Sequence, residues 1–367
     1  MAAQSWNKSA QRPFRLKTKY LAFDLKVWRK KKPHINDQLL TIENAIFQDQ
    51  LKPIPLQNHN LQKDLIHQHH QILLKQAEFH RQRVKKVWAI KGDTNTNFFH
   101  RAIIRRATKN RIAYLTQEDG SPVTTQDQIA SVFYNYFNKL FSSQSTTFQV
   151  PQQHNGEEAS PIQDEYTTSV PDKQEIWNIV KNMRSDASPG PDGLNAGFYK
   201  VAWPWIADDV VHLVQQFYNS AELPQGINST YTALIPKTNA AHTPHQFRPI
   251  SLCNVIYKII TKSLAERIKL HLANYIHSSQ SAFIPGRHIT SNIIVAQEIV
   301  HSFSLATWNK KTFMLKIDLA KAFDRIEWNF IINALKQRGF NDHFTNLIQA
   351  YITAPVFSIL VNSQPSN

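Results

Sequence analysis

The sequence predicts an α+β chain, and three observations carry that prediction. Apolar residues recur at three- and four-residue steps through most of the first 140 positions, as amphipathic helices require. Short β-type stretches appear only later, at 230–237, 313–319 and 356–361, the second with strict alternation of apolar and polar residues. The charge is also divided: 23 Lys and Arg stand against 7 Asp and Glu up to Leu115, and 19 against 20 from Thr116 onward. The whole excess of +15 therefore comes from the N-terminal third. Such a field attracts phosphate backbones, with an affinity that falls steeply with salt.

Composition bounds the rest. At 367 residues there is room for about two or three domains. A hydrophobic fraction of 42% with 11% aromatic residues argues against wholesale disorder. Cys253 is the single cysteine, so neither an internal disulfide nor a cysteine zinc site can form. That suits a reducing compartment, and no disulfide-linked partner is expected. The N-terminus has no apolar h-region, and no apolar run approaches the roughly 20 residues that span a bilayer. The expectation is a soluble intracellular protein, nuclear or cytoplasmic, without a membrane partner.

In chain order, residues 1–56 read as polar helices with apolar positions Leu21, Leu25 and Trp28, then Ile35, Leu39, Ile42 and Ile46. The basic run at 29–32 has the composition of a nuclear localisation signal and equally of a solvated helix end. Pro53 and Pro55 break the pattern. Residues 61–88 read as one long amphipathic helix; His67, His69, His70 and His80 lie along it with no cysteine and few carboxylates nearby, a weak pattern for a metal site. Gly92 is placed to stop it. The next helix turns Phe98, Phe99, Ile103 and Ile104 inward and Arg101, Arg105, Arg106 and Lys109 outward, a face suited to nucleic acid. A turn at 118–122 precedes a helix with Ile129, Phe133, Phe137 and Leu140 inward, and the Ser-, Gln- and Thr-rich residues 142–161 read as a linker.

Beyond the linker the blocks become more particular. A helix at 172–183 leads into Ala187-Ser188-Pro189-Gly190-Pro191-Asp192-Gly193, whose prolines and glycines force a rigid exposed turn. Asp208 and Asp209 stand in a continuous helical pattern and read as a helix surface, not a catalytic pair. A strand at 230–237 ends in Lys237; a loop closes at Arg248-Pro249-Ile250, and a long helix follows with Val255, Ile259, Leu264 and Ile268 inward. Residues 280–287 end in Gly286-Arg287 before a helix at 289–303; here Gly286 is read as permitting close approach. Then residues 313–319 place Phe313, Leu315, Ile317 and Leu319 on one strand face and Lys316 and Asp318 on the other. A carboxylate at a strand end suits a metal ion, although an Asp before a helix is also an ordinary N-cap. Phe323 and Asp324 follow.

Taken in this order, the blocks from Ser188 to Val361 resemble the reverse transcriptases of plant-type non-LTR (LINE-type) retrotransposons. Residues 92–115 resemble the connector between endonuclease and polymerase in those proteins. The resemblance implies a basic helical connector followed by the fingers and an incomplete palm of a right-hand polymerase. It implies that Asp318 is the catalytic aspartate and ligates Mg²⁺, which activates the primer 3′-hydroxyl and stabilises the leaving pyrophosphate. It further implies that Phe323 gates the sugar, that Lys237 and Arg248 hold the incoming triphosphate, and that Gly286 and Arg287, with Arg101, Arg105 and Arg106, lie against the template. The partners implied are an RNA template, a DNA primer and dNTPs. The organisation implied is 1–115 connector, 116–160 helix plus linker, and 161–367 fingers and partial palm.

The chain departs from the family after Asp318. No Gly-Asp-Pro-Leu-type loop and no Ala-Asp-Asp follow it, so motifs B and C and a thumb are missing from the sequence. The expectation is a chain truncated after motif A and inactive in isolation. Two other readings stand beside it: a non-catalytic RNA- or DNA-binding remnant, and a viral-type RNA-dependent RNA polymerase fragment using Asp318 and Asp324. Phe323 speaks against the latter, since a bulky gate excludes ribonucleotides.

Overall fold

The computed structural model describes residues 1–84, 105, 108–142, 165–305, 313–319 and 321–366. These fall into two compact units, one formed by Met1–Ile129, Ala233–Ile250 and Leu360–Gln364, the other by Ala130–Thr232, Ser251–Ile359 and Pro365–Asn367.

The first unit opens with helices α1 (Ala2–Lys8), α2 (Phe14–Lys30), α3 (Ile35–Gln50) and α4 (His59–Val84). Helix α2 buries Lys17, Thr18 and Leu21 on the side that meets α1, where the Trp6 and Phe14 rings sit edge to face at 5.5 Å. Helices α3 and α4 run antiparallel: Glu43 accepts from His69 at 3.0 Å, while Gln76 donates to Asn36 further along at 3.0 Å. The turn between them is organised by Asp49, buried and accepting from Lys52 Nζ (2.7 Å), Gln62 Nε2 (2.8 Å) and the Asn58 backbone (3.0 Å). Those donors, Lys52 first, hold its carboxyl down at about 2. The expected break at Pro53 and Pro55 is a 3₁₀ turn, Ile54–Leu56. Of the expected helix at 61–88, the stretch to Val84 is present and residues 85–88 lie outside the described residues. A small hairpin follows, with β1 (Leu115–Thr116) antiparallel to β2 (Pro122–Val123) and Leu115 opposite Val123. The Asn362 side chain brackets Ile112, donating to its carbonyl (3.0 Å) and accepting from its N–H (2.8 Å).

The second unit is built on helices α5 (Gln126–Phe141, its first turn in the first unit), α6 (Glu165–Thr168), α7 (Lys173–Asn182), α8 (Ala196–Ser220), α9 (Val255–Tyr275), α10 (Ile289–Leu305), α11 (Ala322–Arg325), α12 (Trp328–Gln337) and α13 (Asp342–Thr353). Helix α7 begins where expected, with Asp172 capping it through Glu175 N–H at 2.7 Å. Its core is the α8 face of Ile206, Val210, Val214 and Phe217 with Ile259, Ile260 and Leu264 of α9. Arg267 of α9 is fully buried here, donating to Glu175 at 2.5 Å and to the Ser169 carbonyl at 2.9 Å, with the Tyr166 and Tyr218 rings 4.7 and 4.8 Å away. Asp208 lies on α8 as expected of a helix surface, paired with Lys173 at 2.7 Å.

The principal sheet has four strands in the order β4 (Phe247–Cys253), β3 (Ser229–Pro236), β5 (Val356–Val361), β6 (Gln364–Pro365). The expected strands at 230–237 and 356–361 are thus present. Two expectations are corrected. The loop read at Arg248-Pro249-Ile250 is part of β4, and Pro249 is tolerated because β4 lies at the sheet edge, where a missing donor breaks no ladder. Residues 313–319 are not a paired strand: among the described residues none forms a ladder with them, and Phe313, Leu315, Ile317 and Leu319 are all 71% to 83% exposed. Alternation records the capacity to cover a sheet face; the ladder itself has to come from a second segment.

Candidate nucleotide and nucleic-acid site

The β3–β4 hairpin carries the two residues expected at the triphosphate. Even-numbered residues of β3, Thr230, Thr232 and Leu234, are buried, and the strand ends at Pro236 with Lys237 beyond it in solvent. Lys237 N–H donates to the Gln246 carbonyl at 2.9 Å, closing the hairpin, and its Nζ donates to the His245 carbonyl at 3.0 Å. Phe247 is buried, so the pleat turns Arg248 to the opposite, exposed side. The fold therefore brings Lys237 and Arg248 onto one hairpin, with Arg248 two residues beyond the carbonyl that Lys237 pairs with.

In the second unit the turn at 188–193 is a cradle around the start of α9. A Cβ on Gly190 would lie closer than 3.0 Å to the backbone nitrogen of Asn254 and the carbonyl carbon of Cys253. Asn254 accepts from Asp192 N–H at 3.1 Å and donates to the Ile227 carbonyl at 3.1 Å. Burial pushes the Asp192 carboxyl up to about 6, against the opposing pull of Leu194 N–H and the Lys258 charge. Sequence reading found the turn but not the partner; the signal for Asn254 was its place as N-cap before an amphipathic run.

Asp318 lies in the exposed 313–319 segment. Three residues on, Lys321 holds a left-handed backbone (φ +55°) and donates to the Tyr136 hydroxyl, its ammonium 4.3 Å from that ring's centre. Lys321, which the sequence did not single out, thus ties the turn after Asp318 to α5. Phe323 follows on the single turn of α11, 87% exposed. The Asp324–Asn329 stretch and the end of α5 at Leu140 and Phe141 enclose a cavity of about 380 Å³. Among the described residues no three His, Cys, Asp or Glu side chains come together.

Arg287 is committed to the fold. Its guanidinium donates to the carbonyls of His277 (2.6 Å), Gln280 (2.7 Å) and Ile276 (2.9 Å), closing the C-terminal end of α9. Gly286 has φ +76°, a backbone conformation that favours glycine, and nothing lies within 4 Å of where a Cβ would stand. Arg105 is exposed, while Arg101 and Arg106 lie outside the described residues. Lys237, Arg248 and Arg105 belong to the first unit; Asp318, Phe323, Gly286 and Arg287 to the second.

The family model described as "Reverse transcriptase (RNA-dependent DNA polymerase)" matches residues 235–366, the stretch running from the end of β3 through β6. These residues are a reverse-transcriptase domain. The Transposon TX1 uncharacterized 149 kDa protein of Xenopus laevis is 25% identical over 272 residues, 74% of this chain and 21% of that protein. Pol polyproteins from R2 retrotransposable elements of Nasonia vitripennis and Drosophila melanogaster are each 27% identical, over 47% and 48% of this chain and 16% and 17% of their own lengths. The domain is accordingly that of a LINE-type, non-LTR element. The chain spans about a fifth or less of these relatives. No helix among the described residues is long and apolar enough to cross a membrane.

Proposed function

We propose that the chain is the nucleotide- and nucleic-acid-gripping part of a reverse transcriptase whose parent activity is RNA-directed DNA synthesis. In this reading residues 1–115 are a basic connector of the plant type, 116–160 a helix and linker, and 161–367 the fingers and part of the palm of a right-hand polymerase. Lys237 and Arg248 bind the dNTP phosphates, Asp318 is the catalytic aspartate and Phe323 the sugar gate. The observation that supports it best is the β3–β4 hairpin, which presents both cations to solvent inside the matched domain. Two cations on one hairpin suit a polyphosphate, and the planar guanidinium can meet its oxygens in pairs.

RNA template, DNA primer and dNTP are the partners. Because no second carboxylate motif follows Asp318 within these residues, the 367-residue chain alone grips substrates without extending a primer. The test is titration of the chain with a fluorescent deoxynucleoside triphosphate. Lys237→Gln with Arg248→Gln is expected to weaken binding at least about tenfold, two charge-assisted contacts being lost. Unchanged affinity would overturn the assignment of the hairpin.

A further inference from the structure

Helix α2 carries its apolar residues on two sides. One side is buried against α1. The other is open: Leu16, Tyr20, Phe23 and Val27 recur at four, three and four residues and so form one stripe, with Tyr20 46% and Phe23 63% exposed. Along one flank of that stripe the same periodicity sets Arg15, Lys19, Lys26 and Lys30, all exposed. The helix holds six Lys and Arg against a single acid, Asp24, which accepts from Ser5 of α1. Arg12 lies over the Tyr20 ring at 4.1 Å.

Resting on the reading that the basic N-terminal third meets nucleic acid, we infer that this face of α2 is a stacking platform for single-stranded nucleic acid. A surface stripe that packed against another protein helix would be favoured by a rim of mixed sign. Here the two most exposed members are aromatic, and the flanking row is of one sign, matching a phosphate backbone running beside stacked bases. The stripe extends about 16 Å along the helix. Duplexes hide their base faces, so the platform selects unpaired strands, while the basic row alone would accept either form.

The experiment uses the full chain and a labelled oligouridine, with a duplex of equal length as competitor. Tyr20→Ala with Phe23→Ala is expected to weaken oligouridine binding about fivefold to a hundredfold, leaving the salt slope and the duplex affinity unchanged. Lys19→Gln, Lys26→Gln and Lys30→Gln together are expected to lower the salt slope by about two. Tyr20→Trp, which keeps a stacking ring, is expected to retain binding, separating stacking from loss of fold; circular dichroism of each variant checks the helix content. If the aromatic variant binds oligouridine as the parent does while the lysine variant is weakened, the platform is wrong and the electrostatic reading stands. If both bind as the parent does, the platform is wrong and the nucleic-acid reading of α2 fails with it. If the aromatic variant instead changes only the sedimentation of the chain, the face is a protein contact and the inference is overturned.

Discussion

Asp192 sits where two demands conflict, since its backbone closes the turn against Asn254 while its carboxyl is drawn out of water. The folded value of about 6 lies above the reference of 3.8, so the folded chain keeps a proton that the unfolded chain has lost between those values. Its stabilising contribution is whole below pH 3.8 and disappears as pH rises through 6. Asp192→Asn keeps an acceptor for Leu194 N–H and removes this dependence. Chemical denaturation is expected to show the variant more stable than the parent by up to about 2–3 kcal/mol at pH 8, with the difference vanishing near pH 4. Arg287 gives a second test at this scale. Its donors close the end of α9, so Arg287→Ala is expected to cost about 2–3 kcal/mol of stability while RNA affinity per folded molecule stays the same. A loss of affinity with unchanged melting would return Arg287 to the template.

At the scale of elements, periodicity located the helices well. The boundaries of α7 and α13 and of β5 fall within a few residues of what spacing and caps indicate, because each has a buried face that its own sequence encodes, and α10 also falls where its spacing indicates although Ile289, Ile293 and Val300 are exposed. What spacing does not encode is the partner. β4 was hidden behind Arg248-Pro249, a pair that reads as a loop until its edge position is known. The alternation at 313–319 looks like a strand, yet pairing needs a neighbour that no single-segment pattern specifies. Arg267 was missed for the same reason: a charged residue on a helix reads as solvent-facing until Glu175 and two tyrosine rings enclose it. Removing it leaves the half-buried Glu175 carboxylate without its guanidinium and with the Ser263 hydroxyl at 3.3 Å, and empties a fully buried site, so Arg267→Ala is expected to destabilise the second unit by about 3–5 kcal/mol, seen as a large fall in its melting temperature.

For the whole molecule, the division of charge in the sequence is the feature most plainly legible from composition: cations gather up to Leu115, and the reverse-transcriptase match covers residues 235–366. The candidate site is legible only in part. Lys237 and Arg248 lie on one hairpin, whereas no three His, Cys, Asp or Glu side chains come together among the described residues. The measurement that bears most directly on this account is RNA-templated primer extension with dNTPs and Mg²⁺, run on the purified chain beside Asp318→Asn and beside the Lys237→Gln, Arg248→Gln variant. The account predicts that template and nucleotide are bound by the parent chain and that no extended primer appears with any of the three. Extension by the parent chain, abolished in Asp318→Asn, would contradict it, because the chain would then carry out the chemistry without a second carboxylate motif after Asp318.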